Sequence, residues 1–159
     1  MSATYAIHRA SADDVPAVAA MVGELLEEIM LVIGEQAFNF DVADTVSRLG
    51  DFIESERYFV FVAHSGEGKP AGFIALCESC ALYAEGVFGT IPELYVRPEF
   101  RNCGLGRSLV SEAKAFGFSN GWKRLEVTTP PLPQFQSTLV FYEREGFAVT
   151  GGRKLKVLL

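Results

Sequence analysis

Arg101-Asn102-Cys103-Gly104-Leu105-Gly106 stands between an apolar, strand-like run, Ile91 to Val96, and an amphipathic, helix-like run, Arg107 to Phe118. The stretch therefore reads as a strand-to-helix turn thinned by two glycines. At the first turn of a helix the backbone N–H groups have no internal partner and the macrodipole is positive, so such a turn can hold an anion. Glycine serves there because a Cβ would block close backbone approach. Glycine pairs also mark ordinary turns, so the flanking sequence has to decide.

Working outward, Leu105, Leu109, Val110, Ala113 and Phe116 make a helical stripe, which Asn120-Gly121 closes. Leu125 to Thr128 returns as a strand. Strand, helix, strand is a βαβ unit, which requires the two strands to be parallel. Upstream, Tyr58 to His64 and Ala71 to Ser79 flank the turn Ser65 to Pro70 and predict a hairpin. Val87 to Val96 is the next strand; Pro92 interrupts it, and because proline donates nothing to a ladder a bulge or splaying is expected there. Earlier still, Tyr5 to Arg9 reads as a first strand.

Two helices precede the hairpin. Val15 to Ile29 carries an apolar stripe at steps of three and four and ends at Gly34; Asp13 as cap keeps Pro16 in the first turn. Asp41 caps the second, with Val42, Val46, Leu49, Phe52 and Ile53 on one face. Beyond Pro130-Pro131-Leu132-Pro133 a short helix, about Gln134 to Glu145, closes at Gly146, and Phe147 to Thr150 with Lys154 to Leu159 predicts a terminal strand pair around Gly151-Gly152.

The 159 residues, 49% apolar and 21% charged, suit one globular domain spanning 1–159. Net charge is −6 with no basic cluster, which argues against nucleic acid as partner. No apolar run reaches membrane-span length, and Met1 to Arg9 lacks the apolar core of a leader, so a soluble, cytoplasmic protein is expected. Three cysteines fit a reducing compartment better than a disulfide framework, and Cys77 with Cys80 lacks the second pair a zinc site needs, so no metal is expected.

With these motifs in order, the chain resembles the GCN5-related N-acetyltransferase (GNAT) superfamily over nearly its whole length. Glu93 to Phe100 followed by Arg101-x-x-Gly104-x-Gly106 is similar to the family's fourth strand and pyrophosphate loop; Phe141-Tyr142-Glu143-x-x-Gly146-Phe147 is similar to its last helix and following strand. The resemblance implies an α/β, acyl-CoA N-acyltransferase fold: a mixed, mostly antiparallel sheet of six to seven strands, splayed between strands 4 and 5 and flanked by about four helices. It implies an acyltransferase using acetyl-CoA, or a close acyl-CoA, as cosubstrate, and a small amine is the expected acceptor; separately, the apolar C-terminal strand could pair across a homodimer.

The same resemblance assigns residues. Asn102, Cys103, Gly104, Leu105 and Gly106 would cradle the pyrophosphate, with Arg101 or Arg107 adding charge and Ser108 a hydroxyl; either arginine equally reads as solvated. Leu94, Tyr95 and Val96 would pair with pantetheine through their backbone, the N–H of Val96 serving the thioester oxygen. Tyr142 would be the acid toward sulfur, or else a core tyrosine on Phe147. Glu93 would be the base, through water, or would only orient the amine. Where many members carry an asparagine seven residues before the tyrosine, this chain has Phe135. The acceptor is expected between Met30 to Phe40 and Cys80 to Gly89, where Glu27, Glu28, Glu35, Glu78 and Glu85 would attract a cation or are scattered surface acids, and Phe38, Phe40, Tyr83 and Phe88 would wall the cleft or seal the core. A non-catalytic acyl-CoA sensor, a protein-amine acetyltransferase and a nucleotide-binding turn of another fold are the competing readings.

Overall fold

Alternation along Phe59-Val60-Phe61-Val62 sets the two faces of the sheet. Successive strand side chains point to opposite sides. Val60 and Val62 join Phe73, Ala75 and Tyr95 in a core with Val18, Met21 and Leu49, whereas Phe59 and Phe61 pack their rings on Phe116, at 4.9 and 5.5 Å. One face therefore takes the first two helices and the other takes the third.

The computed structural model describes residues 4–159. The part of the leader reading that rests on residues 1–3 lies outside the described residues. A first unit runs to Thr128, and a second comprises Thr129–Leu159. In the first, β1 (Ala6–Arg9) is followed by α1 (Val15–Ile33), α2 (Val42–Glu54), β2 (Phe59–His64), β3 (Pro70–Ala81), β4 (Gly86–Ile91), β5 (Leu94–Val96), α3 (Leu105–Ser119) and β6 (Leu125–Val127). The sheet is six-stranded and mostly antiparallel, ordered β1-β2-β3-β4-β6, with β5 also paired to β3. β4 and β6 are the parallel pair that the strand-helix-strand order required.

The helix signals act largely as read. Asp41 accepts the N–H of Asp44 at 2.9 Å, and Gly34, at φ +74°, ends α1 by donating to the Met30 carbonyl. The start of α1 differs from expectation. Asp13 is not its cap: a 3-10 turn, Ala12–Asp14, leads in from Ser11, and Asp14 accepts the Ser11 N–H at 2.9 Å. The acceptor wins the nearer donor, and Pro16 still falls harmlessly at the second helical position.

In the second unit α4 (Gln136–Arg144) closes at Gly146, φ +95°. The Tyr142 ring lies between those of Phe141 and Phe147, 5.2 and 5.3 Å away. The terminal strand pair is not formed: among the described residues no ladder includes 147–159, and Val149, Leu155, Val157, Leu158 and Leu159 are all exposed. Alternation alone does not make a strand when its N–H and C=O groups find no partner. No helix among the described residues is long and apolar enough to cross a membrane.

Gly89 shows how tightly α3 is seated. A Cβ there would collide with the Trp122 ring and approach Leu125 within 2.7 Å, while Trp122 also fills the space over Gly117 and donates its indole N–H to Glu78 at 2.6 Å. Gly89→Ala should therefore destabilise the fold by about 1–3 kcal/mol through overpacking. Thermal unfolding followed by the fluorescence of this single tryptophan checks it.

Candidate active site at the open edge of β5

The site begins where the ladder parts. β6 follows β4 from Gly89 to Ile91 and has no register partner beyond it, while β5 stays paired to β3 alone. Pro92 and Glu93 lie in the break. The expected splay is therefore present, and it leaves one edge of β5 without a strand neighbour among the described residues.

Register decides which backbone groups face that edge. Ala75 donates to the Glu93 carbonyl and Arg97 to the Ala71 carbonyl, both at 2.9 Å. In an antiparallel ladder the bonded pairs alternate, so Glu93, Tyr95 and Arg97 turn their backbone groups toward β3, and Leu94 and Val96 turn theirs outward. Tyr95, expected to offer its backbone to a ligand, is thus committed to β3. Its ring is buried and its hydroxyl donates to Glu24 at 3.4 Å.

The edge runs into the glycine turn. After a 3-10 turn, Pro98–Phe100, Asn102 takes φ +59° and Gly104, the cap of α3, takes φ +85°. No side chain caps this helix, and Ser108 is the first residue to bond back, to the Gly104 carbonyl at 3.0 Å. The N–H groups of Leu105 and Gly106, in the first turn, therefore have no intrahelical acceptor. Cys103 is directed elsewhere: its thiol donates to the Phe100 carbonyl at 2.7 Å and lies 3.0 Å from the Tyr5 hydroxyl. Beside the turn, Arg107 and Ser108 join Tyr5, Ile7, Ser111 and Glu112 around a shallow cavity of about 420 Å³.

Glu93 is the most perturbed carboxylate of the unit. Its Oε2 is buried without a hydrogen-bond partner, and desolvation pushes its pKa up to about 7. By alternation it shares a face with Tyr95 and Ala75, the face that carries α1. In the second unit, burial also raises the pKa of Tyr142, which keeps the phenol protonated.

Arg101, Glu28 and Glu78 have partners that the sequence did not reveal. Arg101, although exposed, is engaged within the chain: its Nη1 and Nη2 fork onto Glu28 at 2.8 and 3.0 Å, and its Nε donates to the Val96 carbonyl at 2.8 Å. Glu28 is thereby withdrawn from the acceptor set. Glu78 is withdrawn as well, since it receives the Trp122 indole on the α3 face. Phe40 rests on α1 at Gly23, where a Cβ would lie 2.6 Å from its ring, and Phe88 is buried with Arg124 stacked 5.3 Å over it. The pairing of Glu24 and Glu28 with Arg97 and Arg101 was missed in the sequence. Its trace there is two glutamates and two arginines, each pair four residues apart.

A splayed, mostly antiparallel sheet with an uncapped helix at the end of its open strand defines an acyl-CoA N-acyltransferase fold. The chain belongs to the GNAT acetyltransferase family: the model of the acetyltransferase (GNAT) domain matches residues 56–149. No curated protein sequence matches it. Among solved structures it is similar to an acetyltransferase from Clostridium acetobutylicum crystallised with acetyl-CoA (TM-score 0.78, 12% identity, 98% of this chain and 96% of that one). It is also similar to the aminoglycoside acetyltransferase meta-AAC0020 from an uncultured soil metagenomic sample (0.76, 20%, 98% and 96%). A third is the ribosomal-protein-alanine N-acetyltransferase of Brucella melitensis biovar Abortus 2308 (0.75, 14%, 98% and 99%).

The raised pKa of Glu93 has a consequence for stability that needs no substrate. Folding favours the neutral carboxyl, so stability is greatest below the unfolded pKa near 4.5, declines as pH rises, and levels off above about 7. Glu93→Gln should remove that decline and be more stable than the parent at pH 8 by on the order of 2–3 kcal/mol. Denaturant unfolding of both proteins at pH 5 and pH 8 measures it.

Proposed function

We propose that this protein transfers the acetyl group of acetyl-CoA to a primary amine of a small molecule in the cytoplasm, residues 1–159 acting as one catalytic domain. The observation that carries the reading is the continuity of three features: a Glu93 carboxyl whose Oε2 is buried and unpartnered, an open strand edge at Leu94 and Val96, and an α3 N-terminus that no side chain caps. A pantetheine arm has amide groups that a strand edge can pair, and a pyrophosphate suits a helix N-terminus. Asn102 to Gly106 would hold that pyrophosphate, with Arg107 and Ser108 beside it.

An amine of pKa near 10 must lose a proton before it attacks. In this reading Glu93, poised near neutrality, takes that proton through water, and nitrogen bonds to the thioester carbon. The N–H of Val96 supports the oxyanion. As the carbon–sulfur bond breaks, Tyr142, held protonated, gives its proton to the thiolate, and the second proton shed by the acylated nitrogen passes through water to restore the phenol. The likeness to an aminoglycoside acetyltransferase supports a small, cationic acceptor; the likeness to a ribosomal-protein-alanine N-acetyltransferase supports a peptide amine as the second reading.

The test is release of free thiol from acetyl-CoA by the purified protein with a panel of small amines and of peptides. Turnover by small amines alone supports the first reading, turnover by peptides alone the second, and none by either refutes both. With a working acceptor, kcat/KM should rise with pH through about 7 as Glu93 loses its proton, and Glu93→Gln should abolish that limb. Tyr142→Phe should lower kcat by about a hundredfold while leaving coenzyme A affinity unchanged. Gly106→Leu should do the reverse and weaken coenzyme A binding.

A further inference from the structure

The arginine that opens the glycine turn faces away from it. All three nitrogens of Arg101 are engaged: Nη1 and Nη2 with Glu28 on α1, and Nε with the Val96 carbonyl. Its guanidinium also lies 5.6 Å over the Tyr95 ring. A bidentate carboxylate already neutralises it, so little remains to offer a diphosphate.

What it holds is specific. Val96 turns its N–H and its carbonyl to the same open edge, as any strand residue does. The carbonyl is taken by Arg101, and the N–H is left as the donor on that edge. From the other side, the Tyr95–Val96 peptide rests on Gly72, where an added Cβ would lie 2.6 Å from the Tyr95 oxygen and 3.2 Å from the Val96 Cα. Val96 is therefore held on both flanks: Gly72 packs against the peptide that carries its N–H, and the Arg101 Nε holds the carbonyl of the peptide that follows. Arg97, four residues earlier, repeats the fork on Glu24 at 3.1 and 2.8 Å, but its third donor goes to the Pro70 carbonyl, away from the open edge.

We propose that Arg101 is a positioning residue for acyl transfer: fixed by Glu28, it holds the Val96 carbonyl so that the Val96 N–H points at the oxygen of the bound thioester. This rests on the acetyl-CoA reading above. It makes Glu28 a partner in the chemistry, although Glu28 touches no substrate, and it couples α1, which leads into the expected acceptor segment, to the donor's carbonyl.

The experiment compares Arg101→Gln, Arg101→Lys, Glu28→Gln and the double variant Arg101→Gln/Glu28→Gln. Coenzyme A affinity is measured by calorimetry, and kcat with a working amine. A positioning role predicts coenzyme A affinity within about threefold of the parent and kcat lower by about ten- to a hundredfold in each single variant. Lysine, with charge but no fork, should not rescue, and the double variant should be no worse than either single one. A loss of coenzyme A affinity of about tenfold or more in Arg101→Gln, restored by Arg101→Lys, would instead make Arg101 a phosphate ligand and overturn the proposal.

A readout independent of turnover is the Val96 amide in nitrogen-15 spectra with a non-hydrolysable ketone analogue of acetyl-CoA. Its proton should become protected from exchange in the parent and much less so in Arg101→Gln or Glu28→Gln. Equal protection in all three would also overturn it. Absence of analogue binding to the parent would sink the acetyl-CoA reading itself, and the positioning role with it, whereas binding with unequal protection supports Arg101 even where the acceptor is not among the amines tried. Where Arg101→Gln folds poorly, Glu28→Gln carries the same predictions.

Discussion

Much of the first unit depends on the ladder coming apart after Ile91. Up to that residue β4 is bonded on both sides; past it β5 keeps only β3. Pro92 supplies the reason, because a residue without an N–H cannot continue two ladders. A sheet that stayed closed would have used the outward groups of Leu94 and Val96 on a neighbouring strand. Parting it leaves them available and places an acidic side chain, Glu93, at the fork.

An open edge of this kind is unstable unless something stiffens it. Here the stiffness comes from α1. Glu24 and Glu28 stand one helical turn apart and meet Arg97 and Arg101, which bracket the turn after β5. Both pairs are only partly exposed and both are bidentate, the geometry in which an ion pair fixes direction best. The helix that completes the core with Val18 and Met21 thus also sets the strand's exit.

Local chemistry made much of this legible in the sequence. Asp41 before an apolar stripe, Gly34 and Gly121 after one, Pro92 inside a strand and Gly104 at the cap of α3 each act within a few residues of themselves, and each does in the fold what its type dictates. Signals failed where the deciding partner was distant or missing. The partner of Arg101 lies 73 residues away in sequence, so its charge read as solvated or phosphate-bound. The direction of the Tyr95 backbone follows from register with β3, which no single residue reveals. Lys154 to Leu159 alternates like a strand, yet the described residues give it no ladder. The cap of α1 missed by one residue because Asp13 and Asp14 are chemically alike, and only the Ser11 N–H chooses between them.

The segment between the first two helices is built as a cassette. Gly34 ends α1 in a left-handed turn, Asp41 starts α2, and Phe40 is pinned on α1 against the bare backbone of Gly23. The five positions from 35 to 39 are thus bounded by fixed points that carry their own interactions. A change in the length or composition of that stretch therefore leaves the contacts that end one helix and start the next in place, so the strain of an insertion there is absorbed between two anchored points.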